Sequence, residues 1–365
     1  MVQTPAWRDF RPFIVIKKVA ESNSVASFYL KPKGGGELPT FRPGQSVNIK
    51  LNIPDQLIPT LRSYTLSNSP SSSDYYRLSI KRELPPVDAP RAPPGTSSNF
   101  MHDHVKEGSE VLLSAPTGEF VLRPEGKGPV VFLAGGIGCT PLISMLTAVA
   151  DTRSTRKVWF IHGDRNSYEN AFGKQLIKLA AEHKNIHVHI RYSRPEANCR
   201  LGHDYHSAGH VDMSLIRTLI PGPKPQFFLC GGTPFMRSLY QVLVAWGVDP
   251  FQINYEFFGQ ASNLLEESPT SQTNNENVVE HFEVTFQRSG VKANWSTTSG
   301  SILDLAEAND INPDFICRSG MCQTCLSRVV QGAFAYFNEG VIPPEGANDI
   351  LICSAHPTSD LVLDI

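Results

Sequence analysis

Four of the seven cysteines carry the most chemistry-specific spacing in the chain: Cys317-x4-Cys322-x2-Cys325, with Cys353 twenty-eight residues further on. Three thiols on one tight loop and a fourth far along the sequence is the plant-type [2Fe–2S] spacing. Two irons bridged by sulfides need four soft anionic ligands around one small volume. The residues between the first two cysteines, Arg318-Ser319-Gly320-Met321, are compatible with this. A small serine and a flexible glycine let the loop wrap closely and aim backbone N–H groups at sulfur. Zinc is the alternative for four thiols, but it more often uses two C-x2-4-C pairs, and only one such pair exists here.

Two glycine turns form the second chemical signal. Gly135-Gly136-Ile137-Gly138-Cys139-Thr140-Pro141 follows an apolar strand pattern and opens a helical one. Glycines let backbone approach a pyrophosphate, and a helix N-terminus adds N–H groups and a positive dipole end. Thr140 is placed to be the N-cap and Pro141 the first helical residue. The arrangement returns at Cys230-Gly231-Gly232-Thr233-Pro234. A third signal is Arg62-Ser63-Tyr64-Thr65, which offers what a flavin requires: a cation for phosphate, an aromatic face, and a hydroxyl or N–H for the ring.

These groups need elements to position them. Up to about residue 125 the chain reads as short strands, at Phe13–Ile16, Val25–Leu30, Val47–Leu51, Arg77–Lys81, Val111–Leu113 and Phe120–Leu122. Turn signals separate them and no long helix intervenes, which predicts an antiparallel barrel or sandwich. The run Leu84–Gly95 is too proline-dense for either element and reads as an exposed loop. After Gly128 strands alternate with helical patterns. Strands are expected at Pro129–Ala134, Lys157–His162, Ile186–Tyr192 and Pro225–Cys230. Helices are expected at Pro141–Ala150, at Glu169–His183 and on the Phe235/Met236/Leu239/Val242/Leu243/Trp246 stripe. This alternation predicts a doubly wound parallel sheet. Asn263–Asn277 is polar and reads as a linker, beyond which Phe282–Phe286 restarts a strand and Ile302–Ala308 forms a short helix.

The expected organisation is therefore multi-domain: an antiparallel β-barrel over 1–125, an α/β doubly wound domain over 126–262, a linker over 263–280 and a cysteine-bearing domain over 281–365. A length of 365 residues fits two or three domains. The composition, 41% hydrophobic and 19% charged, excludes a disordered chain. A net charge of −2 argues against a nucleic-acid binder. No apolar run reaches membrane-spanning length and the start lacks a secretory-signal layout, so a cytoplasmic protein is expected. Seven cysteines in a long chain make a disulfide framework a poor reading. Residues 281–365 hold ten acids and four bases, a net −6, so the remainder carries +4.

The loop C-R-S-G-M-C-Q-T-C gives residues 282–365 a resemblance to a plant-type ferredoxin domain with a β-grasp fold. GGIGCTP followed by CGGTPFM resembles the nucleotide domain of the ferredoxin-NADP-reductase superfamily. The resemblance implies that Gly136, Gly138, Thr140 and Pro141 hold the dinucleotide phosphates, and that Cys230, Gly231 and Gly232 lie near the nicotinamide. RSYTLSNSP resembles the R-x-Y-[ST] flavin signature of that superfamily. Ser79, Ile80 and Lys81 resemble its phosphate-side strand, and Gly95, Thr96, Ser97 and Ser98 its second phosphate loop. Glu256-Phe257-Phe258-Gly259 resembles the segment beside the flavin ring in flavohaemoglobin-type reductases, which implies a flavin contact for Phe258. Nothing in this sequence resembles their globin domain, so nitric-oxide dioxygenation is not implied.

The three-module order resembles NADH oxidoreductases of the hybrid-cluster-protein kind and reductases fused to molybdenum-cofactor-sulfurase C-terminal domains. It implies FAD-binding, NAD(P)-binding and ferredoxin-like roles for the three domains in turn. It also implies FAD in preference to FMN, NADH in preference to NADPH, and a [2Fe–2S] cluster. Nicotinamides deliver hydride and iron–sulfur centres accept single electrons, so a flavin between them explains why the modules share a chain. The implied activity passes electrons from NAD(P)H through the flavin to the cluster and on to an acceptor protein, such as an oxygenase, a P450 or a hybrid-cluster protein. Tyr64 and Thr65 would position the flavin, while Cys230 and Glu256 would shape the hydride-transfer pocket. A monomer is expected, and the acidic C-terminal unit predicts transient docking on a partner with a basic patch. His162-Gly163-Asp164-Arg165-Asn166 offers both an acid and a base where the ribose should lie. The competing readings are a flavin/iron–sulfur redox sensor without turnover and a zinc-stabilised binding module.

Overall fold

The structure is a computed structural model that describes residues 7, 10–54, 56, 59–72, 74–84, 95–123, 126, 128–152, 154–222, 224–257, 281–297, 299–311, 313, 315, 320, 325–337, 341, 344, 346 and 348–365. The expected loop over 84–95 (apart from its ends), the linker, Phe258, Cys317 and Cys322 lie outside the described residues. The chain divides into two compact units, residues 1–258 and 259–365.

The first unit opens with β1 (Arg11–Ala20), β2 (Val25–Pro32), β3 (Ser46–Leu51), β4 (Thr60–Thr65), β5 (Tyr76–Lys81), α1 (Thr96–Asp103) and β6 (Glu110–Leu113). The six strands form one antiparallel sheet in the order β4-β3-β6-β1-β2-β5. A Leu66–Leu78 bridge joins the two edges, so the sheet curls round on itself. Its interior holds Phe13, Val15, Phe28, Leu30, Val47, Ile49, Leu78 and Ile80, the inward positions of a period-2 pattern. Two expectations change here. Phe120–Leu122 forms no strand; Phe120 and Leu122 are buried in coil against the parallel sheet, with Phe120 edge-on to Phe228 at 5.5 Å. And α1 is a helix in a region expected to be all strand and loop.

The second half of this unit alternates as its sequence pattern predicts: β7 (Val130–Gly135), α2 (Cys139–Asp151), β8 (Val158–Asp164), α3 (Gly173–Glu182), β9 (Ile186–Tyr192), β10 (Ser207–Ala208), α4 (Met213–Leu219), β11 (Gln226–Gly231), α5 (Thr233–Ala245) and β12 (Ile253–Phe257). The strands form a parallel sheet in the order β10-β9-β8-β7-β11-β12. β7 at its centre is buried from Val130 to Ala134, as expected of a strand covered on both faces. α2 is buried nearly all round because it is wedged between this sheet and the barrel. Its Ser144 hydroxyl donates to Asn68 O at 2.8 Å, and Gly44 comes so close that a Cβ there would lie 2.6 Å from the Met145 methyl. Arg77 of β5 lies over the Phe172 ring, adding a second tie between the halves.

The second unit contains β13 (His281–Phe286), β14 (Val291–Ser296), α6 (Ile302–Ala308), β15 (Leu326–Gln331), β16 (Phe334–Tyr336), β17 (Asp349–Leu351), β18 (Ala355–Pro357) and β19 (Leu361–Leu363). Its mixed sheet runs β14-β13-β19-β15-β17, with β13 and β19 parallel and the neighbouring pairs antiparallel. α6 covers that sheet, burying Ile302, Leu303, Leu305 and Ala306. It starts at a capping box in which Ser301 Oγ accepts from Asp304 N while the Asp304 carboxylate accepts from Ser301 N. No helix among the described residues is long and apolar enough to cross a membrane.

Candidate active site

Two helix N-termini, those of α1 and α2, present N–H donors without side-chain caps. The first belongs to α1. Gly95 is its N-cap, and no side chain accepts from its first N–H groups. Gly95 is required by close packing: a Cβ there would lie 2.7 Å from Glu83 Cβ and 2.8 Å from Ser98 Oγ. Ser98 Oγ accepts from Glu83 N and donates to Gly95 O, which fastens the start of α1 to the end of β5. The far end of the helix is held by Lys18 of β1, whose ammonium donates to the carbonyls of Met101, His102 and Val105 at 3.3, 2.6 and 2.7 Å. Burial draws that lysine below its ordinary pKa. Arg82 adds a bidentate pair to Asp103.

Beside this helix, Arg62 and Ser63 are exposed on β4, and Tyr64 is half-buried with its hydroxyl 3.0 Å from Ser97 Oγ. Burial raises the Tyr64 phenol above its usual value, so it stays protonated and can donate. Thr65 is buried and Lys81 half-buried, while Thr96 is exposed. The side chains of Ser79 and Ile80 are both buried. The Ser79 hydroxyl is committed to Ser27 and Ser67 inside the sheet, and the Ile80 side chain is in the barrel core. An exposed guanidinium, hydroxyls and uncapped N–H groups form a donor set that fits an anionic flavin phosphate.

The second N-terminus is that of α2. Gly136–Gly138 form a 3-10 turn, Gly138 is the N-cap and the helix begins at Cys139. Thr140 is therefore within the first turn and is not the N-cap; its hydroxyl donates backwards to Ile137 O at 3.1 Å. The 3-10 turn tightens the entry by two residues, which the Thr-Pro pair alone does not signal. Gly136 has φ +52°, and a Cβ there would meet nothing within 4 Å, so it borders open space. At Gly138 a Cβ would lie 2.3 Å from Cys230 O, so this glycine is demanded by the adjoining strand. Gly232 is likewise the N-cap of α5, with Thr233 and Pro234 in its first turn.

Cys230 is fully buried at the end of β11, and burial followed by the nearby Glu256 carboxylate pushes its thiol well up. Glu256 of β12 is half-buried as a residue, yet its Oε2 is sealed from solvent with no hydrogen-bond partner among the described residues. Burial raises this carboxyl to about 8. A buried polar atom without a partner is a costly feature, usual where a substrate completes the set. One feature of the site is missing from the sequence pattern. His162 is fully buried with Nε2 3.3 Å from Gly136 O and 3.6 Å from Asp164 Oδ2. Asp164 thus turns inward under the glycine turn, and Arg165 is the exposed group at the end of β8. Asp164 Oδ1 also accepts from Arg165 N at 2.7 Å.

In the second unit the thiols of Cys325 and Cys353 converge to 3.1 Å, both buried and not joined by a disulfide. Gly320 N donates to Cys353 Sγ at 3.3 Å. Gly320 has φ +72°, and a Cβ there would press on Ser354 Oγ at 2.8 Å, so the loop needs glycine at this point. Buried sulfurs that converge and receive a backbone N–H fit thiolate ligation of an iron–sulfur cluster.

Comparison with known proteins accounts for all three regions. Residues 12–122 match the oxidoreductase FAD-binding domain, residues 132–241 the oxidoreductase NAD-binding domain, and residues 284–358 the 2Fe-2S iron-sulfur cluster binding domain. Among solved structures, the FAD/NAD-binding domain of nitric oxide dioxygenase from Vibrio cholerae is 32% identical with a TM-score of 0.61, covering 69% of this chain and 100% of its own. The chain belongs to the ferredoxin-NADP-reductase superfamily. It joins an oxidoreductase FAD-binding and NAD-binding unit to a C-terminal 2Fe-2S cluster binding domain. Phthalate dioxygenase reductase covers 100% of this chain at 22% identity and a TM-score of 0.61, so the three-module fold is shared. The flavohemoprotein of Halalkalibacterium halodurans is 39% identical over 258 residues, and that of Bacillus thuringiensis 40%. Those matches take in 71% of the chain, which spans only 62% and 63% of the length of these relatives.

Proposed function

We propose that this chain is an NAD(P)H-dependent electron-transfer reductase that delivers single electrons to a separate acceptor protein. The observation that carries the reading is the convergence of Cys325 and Cys353 in a domain that follows an FAD- and NAD-binding unit on the same chain. Bound flavin supplies the exchange between a hydride donor and one-electron acceptors, and a thiolate-held [2Fe–2S] centre supplies a one-electron site.

The residues divide the work. Arg62, Ser63, Thr96 and the first N–H groups of α1 bind the flavin phosphates, with Ser97 and Ser98 fixing the helix start. Tyr64 and Thr65 orient the ring, and Phe258 follows on the segment beside it. Gly136, Gly138, Thr140 and Pro141 receive the coenzyme phosphates at the start of α2. Cys230, Gly231 and Gly232 line the nicotinamide side, where Glu256, protonated at neutral pH, donates a hydrogen bond. Cys317, Cys322, Cys325 and Cys353 ligate the cluster. FAD is favoured over FMN, and NADH is the expected donor. The acceptor is an oxygenase, P450 or hybrid-cluster type protein, and its docking face is basic, since residues 281–365 carry a net −6; the reductase meets it as a monomer.

Anaerobic titration of the purified full chain with NADH tests this. Bleaching of flavin and iron–sulfur absorbance, a rhombic paramagnetic signal and catalytic cytochrome c reduction are expected. A chain that bleaches but never passes electrons on is a sensor, and the proposal falls.

A further inference from the structure

Three glycines lie in one row across the C-terminal edge of the parallel sheet. Gly163 of β8 pairs with Gly135 of β7, and Gly231 follows Cys230, the partner of Ala134, on β11. Glycine inside a strand weakens it and marks close approach of another group. For two of them that group is one side chain: a Cβ at Gly231 would lie 2.8 Å from the Phe235 ring and one at Gly135 3.0 Å, whereas a Cβ at Gly163 would meet Val211 at 2.9 Å and the ring only at 3.8 Å. Phe235 is in the first turn of α5, and helical side chains lean toward the N-terminus, which carries its ring back over the strand ends. β7 is followed by α2 and β11 by α5, and the chain leaves β7 in opposite directions along the sheet to reach β8 and β11. The crevice at that switch point is where such sheets take their ligand.

The Phe235 ring is half-buried, unlike Met236, Leu239 and Leu243 on the same helix, which are sealed in the core. A residue that served packing alone would have no reason to keep one edge open at the mouth of the crevice. We propose that Phe235 is the coenzyme-positioning residue of this reductase: its ring is the apolar floor on which the nicotinamide half of NAD(P)H rests. Gly135 and Gly231 make room for the ring, letting it lie against the backbone so that a planar ligand finds a planar surface. The ring is assigned to the nicotinamide half alone, and the adenine half to the far side of the start of α2.

This rests on the coenzyme site proposed above, and ligands that differ only in the nicotinamide separate the two claims. NAD+ and ADP-ribose are titrated into the flavin-loaded full chain, wild type and Phe235 variants, by calorimetry. Phe235→Ala is expected to weaken NAD+ about tenfold and leave ADP-ribose within about twofold. Phe235→Tyr keeps NAD+ affinity, whereas Phe235→Leu, similar in volume but not flat, loses it; these two decide the matter if the alanine variant fails to fold. Equal loss of both ligands, or no loss of NAD+ in the alanine and leucine variants, overturns the inference and leaves Phe235 as a prop for α5. Failure of either ligand to bind the wild type overturns the coenzyme site itself.

Discussion

Cys230 and Glu256 stand opposite one another in register on the adjacent parallel strands β11 and β12, so thiol and carboxyl share the C-terminal edge of the sheet. Burial raises both groups, the Glu256 carboxylate raises the thiol further, and both are neutral at pH 7. A neutral acid beside a neutral thiol makes a low-charge wall, suited to an uncharged dihydronicotinamide.

The carboxyl has a pH signature. Its ordinary value is 4.5 and burial raises it to about 8. Below 4.5 the folded and unfolded chains both hold the proton. Between 4.5 and 8 only the folded chain holds it, so stability falls with rising pH, by up to about 1.4 kcal/mol per pH unit for this group. Above 8 the loss is constant. Glu256→Gln should flatten that slope in urea titrations from pH 5 to 9 and abolish a transition near pH 8 in stopped-flow flavin reduction by NADH. A slope unchanged by the substitution would show that Glu256 is ionised in the folded chain.

The convergent thiols separate the two electron-transfer stages. Cys353→Ser or Cys325→Ser should remove the paramagnetic signal of the reduced chain while flavin reduction by NADH keeps its wild-type rate. Cytochrome c reduction should fall at least tenfold if the cluster is the exit. Residual rates near wild type would make the flavin the direct donor.

Lys18 is predicted to govern flavin retention from a distance. Its ammonium holds three carbonyls at the C-terminal end of α1, and the opposite end of that helix offers the uncapped N–H groups. Lys18→Met leaves those carbonyls unpaired, at roughly 1–3 kcal/mol of stability. Flavin release, followed by fluorescence after dilution, should quicken several-fold, with Lys18→Arg closer to wild type. Equal release rates would mean that α1 keeps its position without the clamp.

What could be read before folding follows from how local each signal is. The cysteine spacing, the strand–helix alternation and the helix Ile302–Ala308 are short-range patterns, and the helix has the predicted bounds. α1 escaped because Gly-Thr-Ser-Ser-Asn is a turn-like opening with few apolar residues. That helix exists through partners far away in sequence, Lys18, Arg82 and the Ile80 carbonyl near His102. Phe120–Leu122 misled in the opposite sense: an apolar run resembles a strand whether it pairs or is merely buried. Ser79 looked available because its two hydroxyl partners, Ser27 and Ser67, sit 52 and 12 residues away. The inward turn of Asp164 toward His162 is likewise set by packing under Gly136, which no spacing announces.

Two glycines of one turn should fail for different reasons. Gly136 has φ +52° but faces open space, so alanine there meets only backbone strain, roughly 1–2 kcal/mol. That open space is where the coenzyme phosphates are proposed to lie, so Gly136→Ala should weaken NAD+ at least tenfold in a chain of near-normal stability. Gly138 has ordinary φ but faces the Cys230 carbonyl, 2.3 Å from where a Cβ would stand. Neither side can yield easily, since β11 is hydrogen-bonded on both edges and Gly138 caps the buried α2. Gly138→Ala should therefore lose about 1–3 kcal/mol through forced displacement of strand or helix, with coenzyme binding falling as a consequence. Urea midpoints and NAD+ titrations on the pair read the contrast directly. Should Gly136→Ala bind NAD+ as the wild type does, the open space beside that glycine is not the phosphate site.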